Sequence, residues 1–237
     1  QVEPWSAKGY RVLLVAEYDG VPEQRGLSPQ RVSPMALVLL SNRVRAAAPK
    51  TFQYFAEQGV HVKVISGDNP ITVSEVARQA GIPGAEHYVD AAALKSDGDL
   101  ERAAVKYTVF GRVTPGQKRK LVRALQKAGH TVAMTGDGVN DVLALKDADC
   151  GIALASGAEA ACHAAQLVLL NSDFSAMPKV VAEGRRVINN IQRAAALFLV
   201  KNIFSFCLSI ISLFASFPYS VTPLQLSLMS ALTIGVP

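Results

Sequence analysis

The fold is decided by the stretch Thr135-Gly136-Asp137-Gly138-Val139-Asn140-Asp141, which directly follows the apolar run Val132-Ala133-Met134. A short buried strand that ends in carboxylates, an amide and glycines suits the binding of Mg²⁺ beside a phosphoryl group at the carboxyl edge of a parallel sheet. A single Asp-Gly pair would indicate only a turn, and a turn with a helix cap is the alternative explanation. Three oxygen-bearing side chains within five residues favour the metal site.

Strand-like and helix-like segments alternate through the middle of the chain. Strands are predicted at residues 61–65, 107–113, 131–134, 151–154 and 167–170, and helices at 71–80, 117–128, 139–146 and 158–165. Because the strands are apolar and alternate with helices, the pattern predicts an α/β fold with a doubly wound parallel sheet. The polar stretch 84–102 interrupts the alternation, and we expect it to be an exposed excursion.

Two further predicted strands end in polar loops, and an open α/β sheet builds its site from such loops. In the first loop, the Ser66 hydroxyl and the backbone amide of Gly67 can together bind a phosphoryl oxygen. Asp68 is expected to cap the helix that follows. In the second loop, Lys118 lies one turn into a helix that Thr114-Pro115 opens, and its ammonium can neutralise phosphate charge. A solvated lysine is the ordinary alternative for Lys118.

The carboxylates after the third strand are candidate metal ligands. Asp137 comes first after its strand and is predicted to bind Mg²⁺, which needs few protein carboxylates because it keeps water and phosphate oxygens. Asn140 and Asp141 lie one turn further on, where they could support the metal site or cap the helix. Together the three loops predict most of a phosphoryl-transfer site.

A long apolar segment follows the α/β part. Residues 194–217 are apolar for 24 residues apart from Lys201, an asparagine and a few serines, which is enough to span a bilayer with some tilt. Three arginines at positions 185, 186 and 193 flank its amino side, so the positive-inside bias predicts that the soluble part is cytoplasmic. A second apolar segment starts at Pro223.

Composition narrows the classes of function. The 237-residue chain has a formal net charge of +5, and part of the basic excess lies just before the long apolar run. A membrane therefore explains the charge better than nucleic acid does. The three cysteines are scattered without metal-like spacing, and we assign them no chemistry. The chain starts Gln1-Val2 and stops inside an apolar segment, so we expect it to be a piece of a longer polypeptide.

The three polar loops occur in an order that resembles one known family. They read Ser66-Gly67-Asp68, Thr114-Pro115-Gly116-Gln117-Lys118 and Gly136-Asp137-Gly138-Val139-Asn140-Asp141. In this order they resemble the phosphorylation domain of P-type cation-transporting ATPases, which belong to the haloacid-dehalogenase-like superfamily. The segment that starts at Gly184 resembles the family's stalk and fifth transmembrane helix, and the segment 223–237 resembles the start of the sixth. The pattern is most similar to bacterial members of the calcium/magnesium-type branch.

The resemblance implies an order of domains and an activity. The implied parts are the end of a nucleotide-binding domain (1–40), a phosphorylation domain (41–183), a stalk (184–193), a transmembrane helix (194–217) and the start of the next (222–237). The whole protein would be a multi-pass pump of the plasma membrane, with ATP as substrate and Mg²⁺ as cofactor, that moves a cation through a phosphoaspartate intermediate. Its partners would be the lipid bilayer, the remaining domains of the same polypeptide and the transported cation, and not nucleic acid.

The resemblance also implies roles for single residues. Lys118 would contact the phosphoryl group, Asp137 would bind Mg²⁺, Ser66 and Gly67 would bind phosphate oxygens, and Asp68 would lie at the same site. The family's nucleophile is an aspartate in an Asp-Lys-Thr-Gly-Thr motif, which does not occur in this sequence. We therefore expect this chain alone neither to phosphorylate itself nor to pump.

The apolar segments depart most from the family. Ser205 and Ile234 align with acids that calcium pumps place in these helices, so neither charge remains. The candidate ion-transport residues are the polar ones that are left: Lys201, Asn202, Ser205, Ser230 and Thr233. Asn202 aligns with a family ligand and offers a carbonyl oxygen. A lysine inside a membrane helix is costly, which makes Lys201 a functional candidate.

Two other functions stay open. The first is a degenerate, non-enzymatic membrane fragment that binds Mg²⁺ or a partner helix. The second is a membrane-anchored phosphatase that uses Glu17 or Asp19, since residues 12–21 are similar to the nucleophile strand of soluble phosphatases of the same superfamily. Glutamate is longer than aspartate and displaces the attacking oxygen by about 1 Å, which costs on the order of a hundredfold in rate. An ordinary strand and an Asp-Gly turn are therefore favoured for this stretch.

Overall fold

The computed structural model describes residues 3–6, 8–20, 28–41, 43–215 and 223–230. The chain divides into two compact units, Gln1–Ala176 and Met177–Pro237. The first unit contains the alternating strands and helices, and the second contains the apolar segments.

The first unit begins with a short helix α1 (Glu3–Ser6) and an antiparallel ribbon of two strands, β1 (Arg11–Tyr18) and β2 (Val32–Leu40). Consecutive residues of a strand point to opposite faces. Leu13 and Leu14 are both about half exposed, so both faces of the ribbon present apolar side chains to solvent. A two-stranded ribbon is marginally stable by itself, and the described part of the chain does not cover these faces.

A parallel sheet of three strands follows. Its central strand is β5 (Val109–Gly111), with β3 (Val64–Ile65) on one side and β4 (Tyr88–Asp90) on the other. Helix α2 (Ala48–Glu57) precedes the sheet in the chain, and α3 (Pro70–Gln79) connects β3 to β4. Pro70 lies in the first turn of α3, because its fixed φ suits that position.

The stretch 84–102 belongs to this sheet and its core, so the predicted exposed excursion is wrong. The stretch contains β4 and the first part of α4 (Asp97–Lys106), and Leu100 of α4 is only 3% exposed. Its polar residues have a local task, since Ser96 and Asp99 form a capping box at the start of α4. Polarity at this point marks a helix end and not a solvated loop.

A second parallel sheet contains the motif that decides the fold. Its central strand is β7 (Cys150–Leu154), flanked by β6 (Ala133–Gly136) and β8 (Leu167–Leu169). Helix α6 (Val142–Asp147) connects β6 to β7, and α7 (Glu159–Ala164) connects β7 to β8. The two sheets and their helices confirm the predicted α/β class with parallel strands.

Helix α5 (Pro115–Lys127) joins the two sheets and their cores. Leu121 is buried among the residues of α4 and β5, whereas its neighbour Val122 is buried with Met134 of β6 and Leu145 of α6. Burying an aliphatic side chain of this size contributes about 1.5–3 kcal/mol. Helix α5 therefore fixes the two sheets relative to each other within the first unit.

The strands β3 and β6 lie at the edges of their sheets, which differs from the single continuous sheet that the sequence predicts. Val109 of the central strand β5 is fully buried, whereas its partner Val64 in β3 is only half-buried, and Thr135 of β6 is exposed. Within the described ranges no strand pairs with the outer edge of β3 or of β6. Strands without a partner on one side lose pairing at their ends, so both begin two or more residues later than predicted.

The second unit is helical where it is described. Helix α8 (Met177–Ala215) is continuous for 39 residues, so the predicted stalk (184–193) and most of the predicted span (194–217) form one helix. Of the described residues, one helix, Phe174–Phe214, is long and apolar enough to cross a membrane by length and composition. The second predicted apolar segment, 222–237, is described only as helix α9 (Pro223–Ser230).

Candidate active site

The loop after β6 is held by the side chain of Asp141. One carboxylate oxygen of Asp141 accepts a hydrogen bond from Lys118 Nζ at 2.6 Å, and the other accepts from the backbone N–H of Gly138 at 3.2 Å. The side chains of Lys118 and Asp141 are only 15% and 9% exposed. Gly136 makes room for this arrangement, because a Cβ atom there would lie 2.6 Å from Cβ of Asp141. Asp141 is thus engaged within the protein on both of its oxygens.

Lys118 is placed by the start of α5, as the sequence predicts. Thr114 is the N-cap residue. Its hydroxyl accepts a hydrogen bond from the backbone N–H of Gln117, and its own backbone N–H donates to the side-chain oxygen of Gln117. Pro115 occupies the first turn. The side-chain amide of Gln117 also donates to the carbonyl of Ala91 at 2.8 Å, which ties the helix start to the first sheet. The low exposure of Lys118 and its ion pair with Asp141 disfavour the solvated lysine that is the ordinary alternative.

Asp137 presents an open carboxylate at the end of β6. The residue is exposed, and its side chain has no hydrogen-bond partner or ion pair among the described residues. Its backbone carbonyl accepts from the N–H of Ala158 at 2.7 Å. Asn140 is also exposed and lies in the short 3₁₀ helix Val139–Asp141.

This donor set fits Mg²⁺ better than a metal that needs several protein ligands. Across the described residues, no group of three or more His, Cys, Asp and Glu side chains is arranged to hold a metal ion. Mg²⁺ commonly uses one or two carboxylates and completes its shell with water and phosphate oxygens. The free carboxylate of Asp137, in the loop whose Asp141 pairs with Lys118, offers that chemistry.

The loop after β3 is open and is organised by its own backbone. Ser66 stays paired with the neighbouring strand, since its N–H donates to Phe110 and its carbonyl accepts from Val113. The hydroxyl of Ser66 accepts from the N–H of Asp68 at 3.1 Å. Asp68 does not cap α3 as predicted. The cap is Asn69, whose side-chain oxygen accepts from the N–H of Ile71, because Asn69 is the residue that immediately precedes the first helical position.

A cavity of about 250 Å³ lies against this loop. Its lining includes Arg11, Arg112 and Gly67. Arg11 lies 3.6 Å from Asp68, and Arg112 lies 2.7 Å from Asp90. Sequence reasoning did not identify either arginine as part of this site. Arg11 belongs to strand β1 and comes close to this loop only in the folded chain.

Sequence reasoning also missed an ion-pair cluster between α5 and α6. Asp147, at the end of α6, accepts hydrogen bonds at 2.6 Å from Nε of Arg119 and from Nε of Arg123. The hydrogen bond from Arg119, followed by that from Arg123, lowers the pKa of Asp147 despite the opposing effect of burial. The same contact raises the pKa of Arg119. The spacing of the two arginines, one helical turn apart beside Lys118, is the signal that could have pointed to a shared acidic partner.

The structure brings some predicted site residues together and leaves others apart. Lys118 and Asp141 are in direct contact, and Asp137 lies in the same loop as Asp141. No hydrogen bond or ion pair within the described residues joins Ser66 or Gly67 to Lys118 or Asp137.

The membrane candidates and the rival nucleophile are separate from this loop in the chain. Lys201, Asn202 and Ser205 lie in α8 and Ser230 lies in α9, while Thr233 lies outside the described residues. Glu17 lies within the antiparallel strand β1, paired with Ser33 of β2, and not at the carboxyl end of a parallel strand. That position disfavours a phosphatase that uses Glu17.

Comparisons with known proteins identify the family. A family model described as haloacid dehalogenase-like hydrolase matches residues 6–149, which is more than half of the chain. The chain therefore belongs to the haloacid dehalogenase-like hydrolases.

Among its relatives, the chain is 47% identical to the calcium-transporting ATPase CtpE of Mycobacterium tuberculosis over 248 residues, covering 100% of this chain and 31% of the relative. It is 41% identical over 97% of its length to the probable cation-transporting ATPase exp7 of Streptococcus pneumoniae, of which it covers 31%. It is 34% identical over 81% of its length to a P-type magnesium-transporting ATPase of Salmonella typhimurium, of which it covers 22%. The chain thus spans about a third, or less, of the length of these curated relatives.

A solved structure shares the fold. The crystal structure of a zinc-transporting PIB-type ATPase in its E2.Pi state matches 99% of this chain and 32% of its own, with a TM-score of 0.66 and 20% identity. At that identity the likeness shows the fold alone.

Proposed function

We propose that this chain is part of an ATP-driven cation pump that works through a phosphoaspartate intermediate. The observation that carries the proposal is the loop after β6, which contains both Asp141, paired with Lys118 at low exposure, and the open carboxylate of Asp137. Soluble and membrane-bound phosphoryl-transfer enzymes need a fixed positive charge and a free metal ligand at one point. The relatives named as cation-transporting ATPases support the choice of a pump.

In the proposed reaction the chain's residues bind and orient the phosphoryl group of ATP. The ammonium of Lys118 neutralises charge on the transferring group, while Asp141 keeps that ammonium in place. Ser66 and Gly67 offer a hydroxyl and a backbone N–H to the phosphate oxygens, with Asp68 at the same loop. Asp137 would hold Mg²⁺, with Asn140 beside it, and the bound ion would supply further neutralisation of phosphate charge.

The nucleophile of the proposed reaction belongs to another part of the whole protein. Its carboxylate attacks the terminal phosphorus of ATP, the bond to the bridging oxygen breaks, and ADP leaves. We propose that the strand carrying this aspartate pairs with the free edges of β3 and β6. Support comes from the position of these edges, because each leads directly into one of the two phosphate-binding loops.

The remaining parts of the proposal concern the membrane. Residues 1–40 would end a nucleotide-binding domain, 41–183 would form the phosphorylation domain, and 184–193 would be a cytoplasmic stalk that continues into the span at 194–217. The next span would start at 222–237. The length and apolar composition of α8 support one crossing of the plasma membrane, and the arginines at 185, 186 and 193 support a cytoplasmic start. Asn202 is the proposed ligand of the transported cation, with Lys201, Ser205, Ser230 and Thr233 as further candidates.

The test of the proposed site is Asp137→Asn in the full-length protein. The change removes the charge of the open carboxylate and keeps the size and shape of the side chain. Phosphoenzyme formed from radiolabelled ATP should therefore disappear, while the midpoint of thermal unfolding stays the same. Asp97→Asn is the matched control, because Asp97 is exposed on α4 and, among the described residues, its ion pair is with Lys120. Normal phosphoenzyme in Asp137→Asn would overturn the assignment of the metal ligand. The transported ion is identified by ATPase activity of the intact protein across Ca²⁺, Mg²⁺, Mn²⁺, Na⁺ and K⁺.

A further inference from the structure

A second loop lies against the backbone of Asp137. This loop, residues 155–158, connects β7 to α7 and contains no acidic or basic side chain. The N–H of Gly157 closes the turn onto the carbonyl of Leu154 at 2.9 Å. The next N–H, that of Ala158, donates to the carbonyl of Asp137 at 2.7 Å. This loop lies outside all of the predicted motifs, yet its backbone contacts the candidate metal ligand directly.

The approach of the two backbones depends on the absence of a side chain at Gly157. A Cβ atom on this residue would lie 2.5 Å from the carbonyl oxygen of Asp137, 2.9 Å from its Cα and 3.0 Å from its Cβ. These are main-chain atoms and a Cβ atom, which cannot move aside as the end of a flexible side chain can. The backbone of Gly157 does not lie in the left-handed region. Glycine is required here for the close contact and not for its conformational freedom.

We propose that Gly157 and Ala158 are positioning residues that set the backbone of Asp137 for binding of a divalent cation. The inference rests on the proposed function of Asp137. The hydrogen bond from Ala158 holds the main chain of Asp137 and leaves its carboxylate free to point outward. Mg²⁺ demands near-ideal octahedral geometry at short range, so a carboxylate that moves by a few tenths of an ångström loses affinity. A misplacement of 1 Å at such a site can cost on the order of a hundredfold.

Two substitutions in the full-length protein separate this role from a general role in folding. Gly157→Ala forces the two loops apart. Ala158→Pro removes the N–H that bonds to Asp137 and puts the ring Cδ where that hydrogen lies, so the carbonyl of Asp137 must move away. The φ of −65° at this residue is the value that a proline ring adopts, so α7 can still start here. Gly98→Ala is the matched control, since a Cβ atom there meets only ordinary contacts at 3.8 Å or more.

The main measurement is Mn²⁺ binding, followed by the loss of the free-ion signal in electron paramagnetic resonance. The part of the binding that Asp137→Asn removes defines the site. We expect Gly157→Ala and Ala158→Pro each to weaken this part about tenfold. The Mg²⁺ concentration that gives half-maximal phosphoenzyme should rise by a similar factor. Gly98→Ala should change neither quantity.

The outcomes distinguish failure of this inference from failure of the proposed function. Wild-type Mn²⁺ affinity in Ala158→Pro and in any folded Gly157→Ala protein would overturn the positioning role, with the metal site itself left standing. If Gly157→Ala does not fold, Ala158→Pro decides alone. If Asp137→Asn removes no Mn²⁺ binding and leaves phosphoenzyme intact, the proposed site and the positioning role both fail.

Discussion

The two candidate phosphate-binding loops both follow parallel edge strands but differ in how their charges are held. After β6, Lys118 and Asp141 form an ion pair at 2.6 Å whose side chains are 15% and 9% exposed. After β3, Arg11 and Asp68 approach to 3.6 Å with side chains that are 64% and 49% exposed. One loop is assembled before any ligand arrives, and the other is open to solvent.

The difference shows which charges maintain the structure and which are available to a ligand. An exposed pair is worth about 0–1 kcal/mol because water screens it and the side chains lose freedom. Breaking a buried pair costs about 3–5 kcal/mol, since it leaves one charge without compensation. The loop after β6 therefore combines a fixed pair with one open carboxylate, Asp137, whereas the loop after β3 offers mainly backbone groups and exposed charges.

The largest effect is expected for Asp141→Asn. Two donors, Lys118 Nζ and the N–H of Gly138, converge on the two oxygens of Asp141, and an amide has a single oxygen to offer them. The substitution should destabilise the first unit by about 3–5 kcal/mol. The measurement is the midpoint of thermal unfolding of the full-length protein in detergent.

A double variant sharpens the interpretation of this result. Lys118→Met together with Asp141→Asn removes the buried charge as well as its partner, so most of the stability should return while phosphoenzyme stays absent. If the double variant is as unstable as Asp141→Asn, the cost does not come from an uncompensated charge, and the contrast between the two loops loses its basis.

An intermediate effect is expected for Asp147→Asn. The hydrogen bonds from Arg119 and Arg123 lower the pKa of Asp147, so its carboxylate stabilises the fold at pH values above the ordinary aspartate pKa. The substitution should cost about 1–2 kcal/mol at pH 7. Because the native carboxylate becomes protonated as the pH falls through its lowered pKa, the difference between wild type and variant should shrink below about pH 4.

Thermal unfolding at several pH values checks this expectation. Glu101→Gln is a suitable control, because its pair with Lys127 is more exposed, at 44% and 72%. A difference between Asp147→Asn and wild type that stays constant from pH 7 to below pH 4 would show that the charge of Asp147 does not hold α5 to α6.

The sequence predicts those parts of the fold that depend on neighbours along the chain. The helix start at Thr114-Pro115 and the strand before Asp137 are confirmed because capping and apolar patterning are local. The stretch 84–102 was predicted wrongly because its capping residues, Ser96 and Asp99, have the same composition as a solvated loop. The separation into two sheets could not be predicted, since strand pairing depends on tertiary structure.

The site shows the same limit. Sequence reasoning identified Lys118, Asp137 and Asp141 as a set, but it assigned Lys118 to phosphate and Asp141 to the metal or to a cap. Lys118 and Asp141 are 23 residues apart in the sequence. They meet because α5 packs against both cores, which the sequence does not reveal. Gly157 was missed for a related reason. In the sequence, a glycine between small residues indicates only a turn. The structure shows that a Cβ atom at this position would lie 2.5 Å from the carbonyl oxygen of Asp137.

The smallest effect is expected for Arg11→Gln, which tests the open loop. Its pair with Asp68 is long and exposed, so its removal should change stability by no more than about 0.5 kcal/mol, and salt should erase the difference. Lys120→Gln is the control, because its pair with Asp97 is exposed to a similar degree, at 54% and 75%. Thermal unfolding at low and high salt measures both. A loss as large as that of Asp147→Asn would mean that the loop after β3 is fixed by its ion pair, and that the two loops do not differ in the way their exposures indicate.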